Sequence, residues 1–98
     1  MVKSELDSKD YNDLFKAILQ LQTVDESKKF FRDLCTIAEL EAISERWHVV
    51  QLLIQGIPYR EIRKQTGAST ATVTRVAQWL NRGKGGYRLV LKRMKRIK

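Results

Sequence analysis

An all-α fold, a bundle of about six helices built around a helix-turn-helix, is what this sequence predicts, and three observations predict it. One proline and five glycines in 98 residues leave little room for a turn-rich β fold. Apolar residues recur at three- and four-residue spacing through most of the chain, the period of amphipathic helices. The stretch at 58–82, PYREIRKQTGASTATVTRVAQWLNR, reads as a short helix, a glycine turn and a second helix with a small, polar outer face. With 43% apolar residues the chain suffices for one domain with a small core. Its expected organisation is 1–57 for core and dimerisation helices, 58–82 for the helix-turn-helix, and 83–98 for a basic C-terminal helix.

Residues 1–8 are polar and expected to fray. From Ser8 to Gln22, the residues Tyr11, Leu14, Phe15, Ile18 and Leu19 keep helical spacing. Thr23-Val24-Asp25 breaks that helix, and Asp25 is expected to cap a second one over 26–34 with Phe30, Phe31 and Leu34 on its apolar side. Thr36-Ile37-Ala38-Glu39 has the capping-box spacing, in which threonine bonds forward to an amide and glutamate bonds back. A third and longest helix therefore starts there, with Leu40, Ile43, Trp47, Val50 and Ile54 on its face, widened by Val49 and Leu53, and Gly56 at its end. So wide an apolar face suggests burial on two sides, hence a partner subunit.

In the central stretch Pro58 opens a helix where its missing amide costs nothing. Ile62 anchors that helix, and Gly67 supplies the positive φ that ends it. Ser69 or Thr70 caps the next helix. Its residues Val73, Val76, Ala77 and Leu80 form a buried stripe, opposite Thr70, Ala71, Thr74 and Arg75. Arg63 departs from the motif, which usually has alanine there. Residues 82–86, RGKGG, form a flexible connector that lacks the Gly-Lys-Ser/Thr ending of a phosphate-binding loop. From Tyr87 to Lys98, a short basic helix sets Leu89, Val90, Met94 and Ile97 against Arg88, Lys92, Arg93, Lys95, Arg96 and Lys98. Its apolar side is expected to meet the partner and its charges DNA phosphates; a solvated tail and a membrane-surface helix are the alternatives.

Charge narrows the function. Net charge is +8, but residues 1–57 carry seven Lys/Arg against ten Asp/Glu, while 58–98 carry twelve against Glu61 alone. A basic half that contains the helix-turn-helix points to a polyanion. Cys35 is the single cysteine, no secretory signal opens the chain, and no apolar run reaches membrane-spanning length; a cytoplasmic protein without membrane association is expected. Catalysis is not expected. His48 and Cys35 stand alone, without HExxH, CxxC or paired carboxylates, and metal binding would need more ligands.

The segments TIAELEAISERWHVVQLLIQG at 36–56 and REIRKQTGASTATVTR at 60–75 resemble the tryptophan repressor superfamily, and the chain as a whole is similar to its small YerC/YecD-type members. GASTATVTR carries most of the specificity. The resemblance implies an all-helical, intertwined homodimer presenting two helix-turn-helix heads to double-stranded DNA, acting as a repressor of transcription. It also implies positions for a corepressor: Arg46 and Arg75 match the arginines that clamp tryptophan, and Thr36 matches a neighbouring polar contact. Val76 stands where the repressor has a glycine against the indole, and Trp79 where it has a serine. An isopropyl group added to a fitted pocket clashes, at a cost of about 1–3 kcal/mol. Tryptophan is therefore not expected to bind; no cofactor is assigned, and a different corepressor stays open.

For DNA, the expected base-reading residues are Ser69, Thr70, Ala71 and Thr74, whose methyls and hydroxyls meet base edges in the major groove. Arg60, Arg63, Lys64, Lys84 and Arg88 are the expected phosphate contacts. The competing function class is a helix-turn-helix used for docking a protein, or for binding nucleic acid without sequence preference.

Overall fold

Hydroxyl side chains set where four of these helices begin, and left-handed glycines set where α3 and α4 end. A computed structural model describes residues 8–98. It contains α1 (Lys9–Ile18), α2 (Val24–Leu34), α3 (Ile37–Ile54), α4 (Tyr59–Thr66), α5 (Thr70–Arg82) and α6 (Gly86–Arg93), and no strand among the described residues. All-α architecture with six helices is the expected class. Two compact units divide the chain, Met1–Leu40 and Glu41–Lys98, so α3 contributes its apolar C-terminal part to the second unit.

In the first unit, Ser8 caps α1 by accepting from the Tyr11 amide at 3.3 Å. The helix ends at Ile18, four residues before the expected Gln22. Bonds from the Gln20 amide to Ala17 O (3.0 Å) and from the Leu21 amide to Ile18 O (3.1 Å) tighten its last turn and close it. The cap of α2 is Thr23, not Asp25. Thr23 Oγ1 accepts from the Glu26 amide at 3.1 Å, and Glu26 Oε1 accepts from the Gln22 amide at 2.9 Å. Thr23 and Glu26 are three apart, the spacing that also frames α3, and the competing aspartate instead pairs with Lys29 inside the helix, at 3.3 Å and largely in solvent. Before α3 the capping box is complete: Glu39 Oε1 accepts from the Thr36 amide at 2.8 Å, and Thr36 Oγ1 from the Glu39 amide at 3.1 Å. The Thr36 amide, and then its hydroxyl, hold the Glu39 carboxyl below its ordinary pKa.

The core lies in the second unit. Val49, Val50 and Leu52 of α3, Ile62 of α4, Val73, Val76 and Leu80 of α5, Leu91 of α6 and Ala68 of the turn form one buried cluster. Val49, Val50, Ile62, Val73 and Val76 are completely inaccessible; a side chain of this size so buried contributes about 1.5–3 kcal/mol. The α5 stripe is the expected one, Val73, Val76, Ala77 and Leu80. The α3 face differs: Ile43 is exposed, and Leu52, outside the expected face, is buried. From Trp47 to Ile54 α3 is apolar nearly all round, so period alone does not fix its rotation.

Gly56 (φ +78) ends α3, the Gly56 amide bonding Leu53 O at 3.0 Å and the Ile57 amide bonding Leu52 O at 3.1 Å. Pro58 sits one residue outside α4 rather than in its first turn, and its carbonyl accepts from the amides of Glu61 and Ile62, both at 3.0 Å. The C-terminal helix stops at Arg93, short of the expected Lys98. Its core anchor is Leu91, while Leu89, Val90 and Met94 of the expected apolar side are 44–49% exposed.

At Gly67 an added Cβ would touch nothing within 4 Å, so the φ of +75 is the whole obstacle to another residue. Gly67→Ala is expected to cost about 1–2 kcal/mol, seen as a melting temperature lowered by several degrees at fixed protein concentration with the helical circular dichroism unchanged. An unaltered melting temperature would show that the turn tolerates a right-handed backbone.

Candidate nucleic-acid interface

The helix-turn-helix is closed by three local bonding patterns. The Gly67 amide donates to Arg63 O at 2.8 Å, satisfying a carbonyl that the end of α4 leaves free. Thr66 Oγ1 donates to Ile62 O at 2.7 Å and accepts from the Ala68 amide at 3.1 Å. Ser69 Oγ accepts from the Thr72 amide at 3.1 Å and bonds Thr72 Oγ1 at 3.0 Å. Residues 66–69 thus end one helix and begin the next through hydroxyl and amide bonds made within the turn. Ala68 turns inward and is 3% exposed, pinning the turn to the core. Sequence reasoning missed Thr66, Ala68 and Thr72; the only signal was the short-range hydroxyl-to-backbone bonding that threonine favours near helix ends.

The two faces of α5 separate cleanly. Val73, Val76 and Ala77 are at most 5% exposed, whereas Thr70, Ala71, Thr74 and Arg75 are all exposed, as is Ser69. No acidic residue occupies the first turn of α5, so the positive end of its dipole is open to an approaching anion. On α4, Arg60, Arg63 and Lys64 are exposed, and the one acid there, Glu61, accepts from Gln65 Nε2 at 3.3 Å. Lys84, in the connector, is exposed. Arg88 has an intramolecular partner: Nε donates to Leu80 O at 3.1 Å and Nη2 to Asn81 Oδ1 at 3.0 Å. It ties the start of α6 to the last turn of α5.

The residues matched to a corepressor site differ in exposure. Thr36 is exposed and committed to the α3 capping box. Arg46 is half-buried and Arg75 exposed. Val76 lies wholly inside the core. Trp79, 46% exposed, borders an apolar cavity of about 710 Å³ with Trp47, Tyr87, Val90 and Lys84. The rings of Trp47 and Tyr87 there are 6.2 Å apart at 43°, and neither Arg46 nor Arg75 lines the cavity. Among the described residues, no group of three His, Cys, Asp or Glu side chains could hold a metal ion, and no helix is long and apolar enough to cross a membrane.

Comparison with known proteins agrees with the all-helical fold. The family model described as Trp repressor protein matches residues 9–95. A Bacillus subtilis (strain 168) protein, YerC, itself uncharacterized, is 42% identical over 91 residues, which cover 93% of this chain and 88% of that one. A crystal structure of a candidate Trp repressor from Staphylococcus aureus superposes with a TM-score of 0.88 at 36% identity, covering 95% of this chain and 96% of the other. A TrpR-like protein from Eubacterium eligens ATCC 27750 gives 0.90 at 40% identity, with 96% and 97% covered.

The forked geometry at Arg88 distinguishes a structural from a purely electrostatic role, since lysine keeps the charge and loses the fork. Arg88→Lys is expected to lower the melting temperature by several degrees, about 1–2 kcal/mol. Thermal unfolding followed by circular dichroism measures it, and an unchanged transition would remove Arg88 from the frame of the fold.

Proposed function

We propose, from the premise that the chain belongs to the Trp repressor family, that it is a sequence-specific transcriptional repressor which reads duplex DNA through α5. Membership makes it a regulator of the helix-turn-helix, DNA-binding type. The observation that carries the finer reading is the split of α5 into a wholly buried stripe and an outer face of Ser69, Thr70, Ala71 and Thr74. Those side chains are small enough to let the helix backbone approach base edges closely, and their methyls suit thymine. None is an Arg or Asn, so discrimination rests on apolar contact, shape and water-mediated bonds. Arg60, Arg63, Lys64 and Lys84, with whatever capacity Arg88 retains, supply phosphate contacts that set the register.

A homodimer completes the reading. Tyr11, Phe15, Leu19, Val24, Leu34, Ile37 and Ile43, all large and apolar, are 44–79% exposed, and side chains of this kind left in water suit an interface. A second copy covering these faces would present two reading heads to one DNA face. The protein works in the cytoplasm, with no catalytic role and no cofactor. Val76 supports independence from tryptophan, because its branched side chain is packed into the core at the position where the repressor has a glycine.

Selection from a random duplex pool tests the central claim: a two-fold symmetric half-site repeat is expected. Absence of duplex binding at low salt would favour protein docking, and binding without preference an architectural role. Arg63→Ala should weaken binding to all duplexes alike and reduce the salt slope by about 1, whereas Thr74→Val should change the preference among selected sites. Anisotropy titrations at two salt concentrations separate these effects, and an Arg63→Ala variant with wild-type affinity and slope would refute the phosphate assignment. In isothermal titration L-tryptophan is expected to give no binding heat; a micromolar dissociation constant would overturn that part of the reading.

A further inference from the structure

Residues 92–98, KRMKRIK, place five cations in seven positions, with no acid anywhere beyond Glu61. Like charges at that density repel, and such a run is ordinarily a solvated, fraying tail. Here it is folded back and pinned. After α6 the chain reverses at Lys95, the one non-glycine residue with positive φ (61°) among those described. The Lys95 amide bonds Lys92 O at 3.0 Å and the Arg96 amide bonds Leu91 O at 2.8 Å, closing the helix in the manner glycine usually serves. Arg96 Nη1 then donates to Gln51 Oε1 of α3 at 3.3 Å, across 45 residues of sequence, and Ile97 packs against the buried cluster. Lys92, Arg93, Lys95 and Lys98 are left exposed, three of them around a shallow hollow of about 550 Å³ with Arg96 and Ile97.

A lysine held left-handed and a compressed set of positive charges both oppose folding. Their combination with an anchored backbone is the arrangement a polyanion rewards, since cations fixed in advance lose less freedom on binding. We propose that residues 92–98 form a preorganised phosphate clamp that grips the sugar-phosphate backbone of duplex DNA outside the groove read by α5. This rests on the DNA-binding reading of the protein. A membrane surface suits the segment less well, because Ile97 turns inward and Met94 is the single apolar side chain left half-exposed.

The clamp is tested in the full chain with the triple variant Lys92→Gln/Arg93→Gln/Lys98→Gln, which leaves Lys95 and the Arg96–Gln51 hydrogen bond in place. Anisotropy with a random duplex and with a selected operator should show the salt slope reduced by about 2–3, because each phosphate no longer neutralised takes about 0.9 from it. Affinity for both duplexes should fall at least tenfold at low salt, with their ratio unchanged. The charge-retaining Lys92→Arg/Lys98→Arg variant should keep wild-type slope and affinity. If the wild-type chain binds duplex and the triple variant keeps its slope, the clamp is refuted while the groove reading stands. If the wild-type chain binds no duplex, both fall together. Loss of binding to phosphatidylglycerol vesicles with duplex affinity intact would refute the clamp in favour of a membrane surface.

Discussion

Thr66 and the three residues that join α4 to α5 constrain everything the second unit can do. Gly67 reverses the backbone in a region L side chains avoid, its amide returns to Arg63 O, and Thr66 ties the preceding carbonyl to the following amide. Ala68 sinks into the core and Ser69 starts the next helix. Because so few residues span the turn, the angle between the helices has little freedom. Ile62 and Val73 then meet in the interior, and the rotation of α5 about its own axis is settled by its buried valines. The exposed threonine face is a consequence of that rotation.

The same logic explains the division of labour along α5. A helix that buries one stripe this completely cannot tilt or roll to improve a contact on its other side. Its outer residues are therefore presented at fixed positions, and small side chains there favour close approach over long reach. The surrounding positive charge acts at longer range and without regard to sequence. Arg88 and Arg96 show that part of this charge also serves the fold, one joining α6 to the end of α5 and the other joining the reversed segment to α3.

The first unit has the opposite character. Its helices are well capped, by Ser8, by Thr23 and by the Thr36–Glu39 box, yet no described residue in it is buried. Caps of this kind are worth about 1 kcal/mol each and do not replace a core. Helices with good local signals and unsatisfied apolar faces are suited to completion by another chain, which is why the proposed assembly is a dimer.

Local chemistry was legible in the sequence wherever a single residue type answers a single need. The α3 capping box, the left-handed Gly67, the buried stripe of α5 and its exposed threonines belong to this class, because each follows from spacing within one or two turns. The skewed charge and the family resemblance were equally plain. Other features depend on partners far along the chain. The rotation of α3 was unreadable because its C-terminal part is apolar on every side, so that only packing chose Leu52 over Ile43. Leu91 displaced the expected side of α6 for the same reason. The choice between Thr23 and Asp25 was local instead: the Thr23 hydroxyl accepts from the Glu26 amide, while the Glu26 carboxylate accepts from the Gln22 amide one residue before the cap. Residues 94–98 would continue a helix by period alone; Arg96 reaching Gln51 and Ile97 reaching the core turn them back instead. Sequence by itself determined the helical class, the α3 capping box, the Gly67 turn and the two faces of α5; tertiary structure decided which of several equally apolar or equally basic candidates is used, because only there do distant groups compete for the same partner.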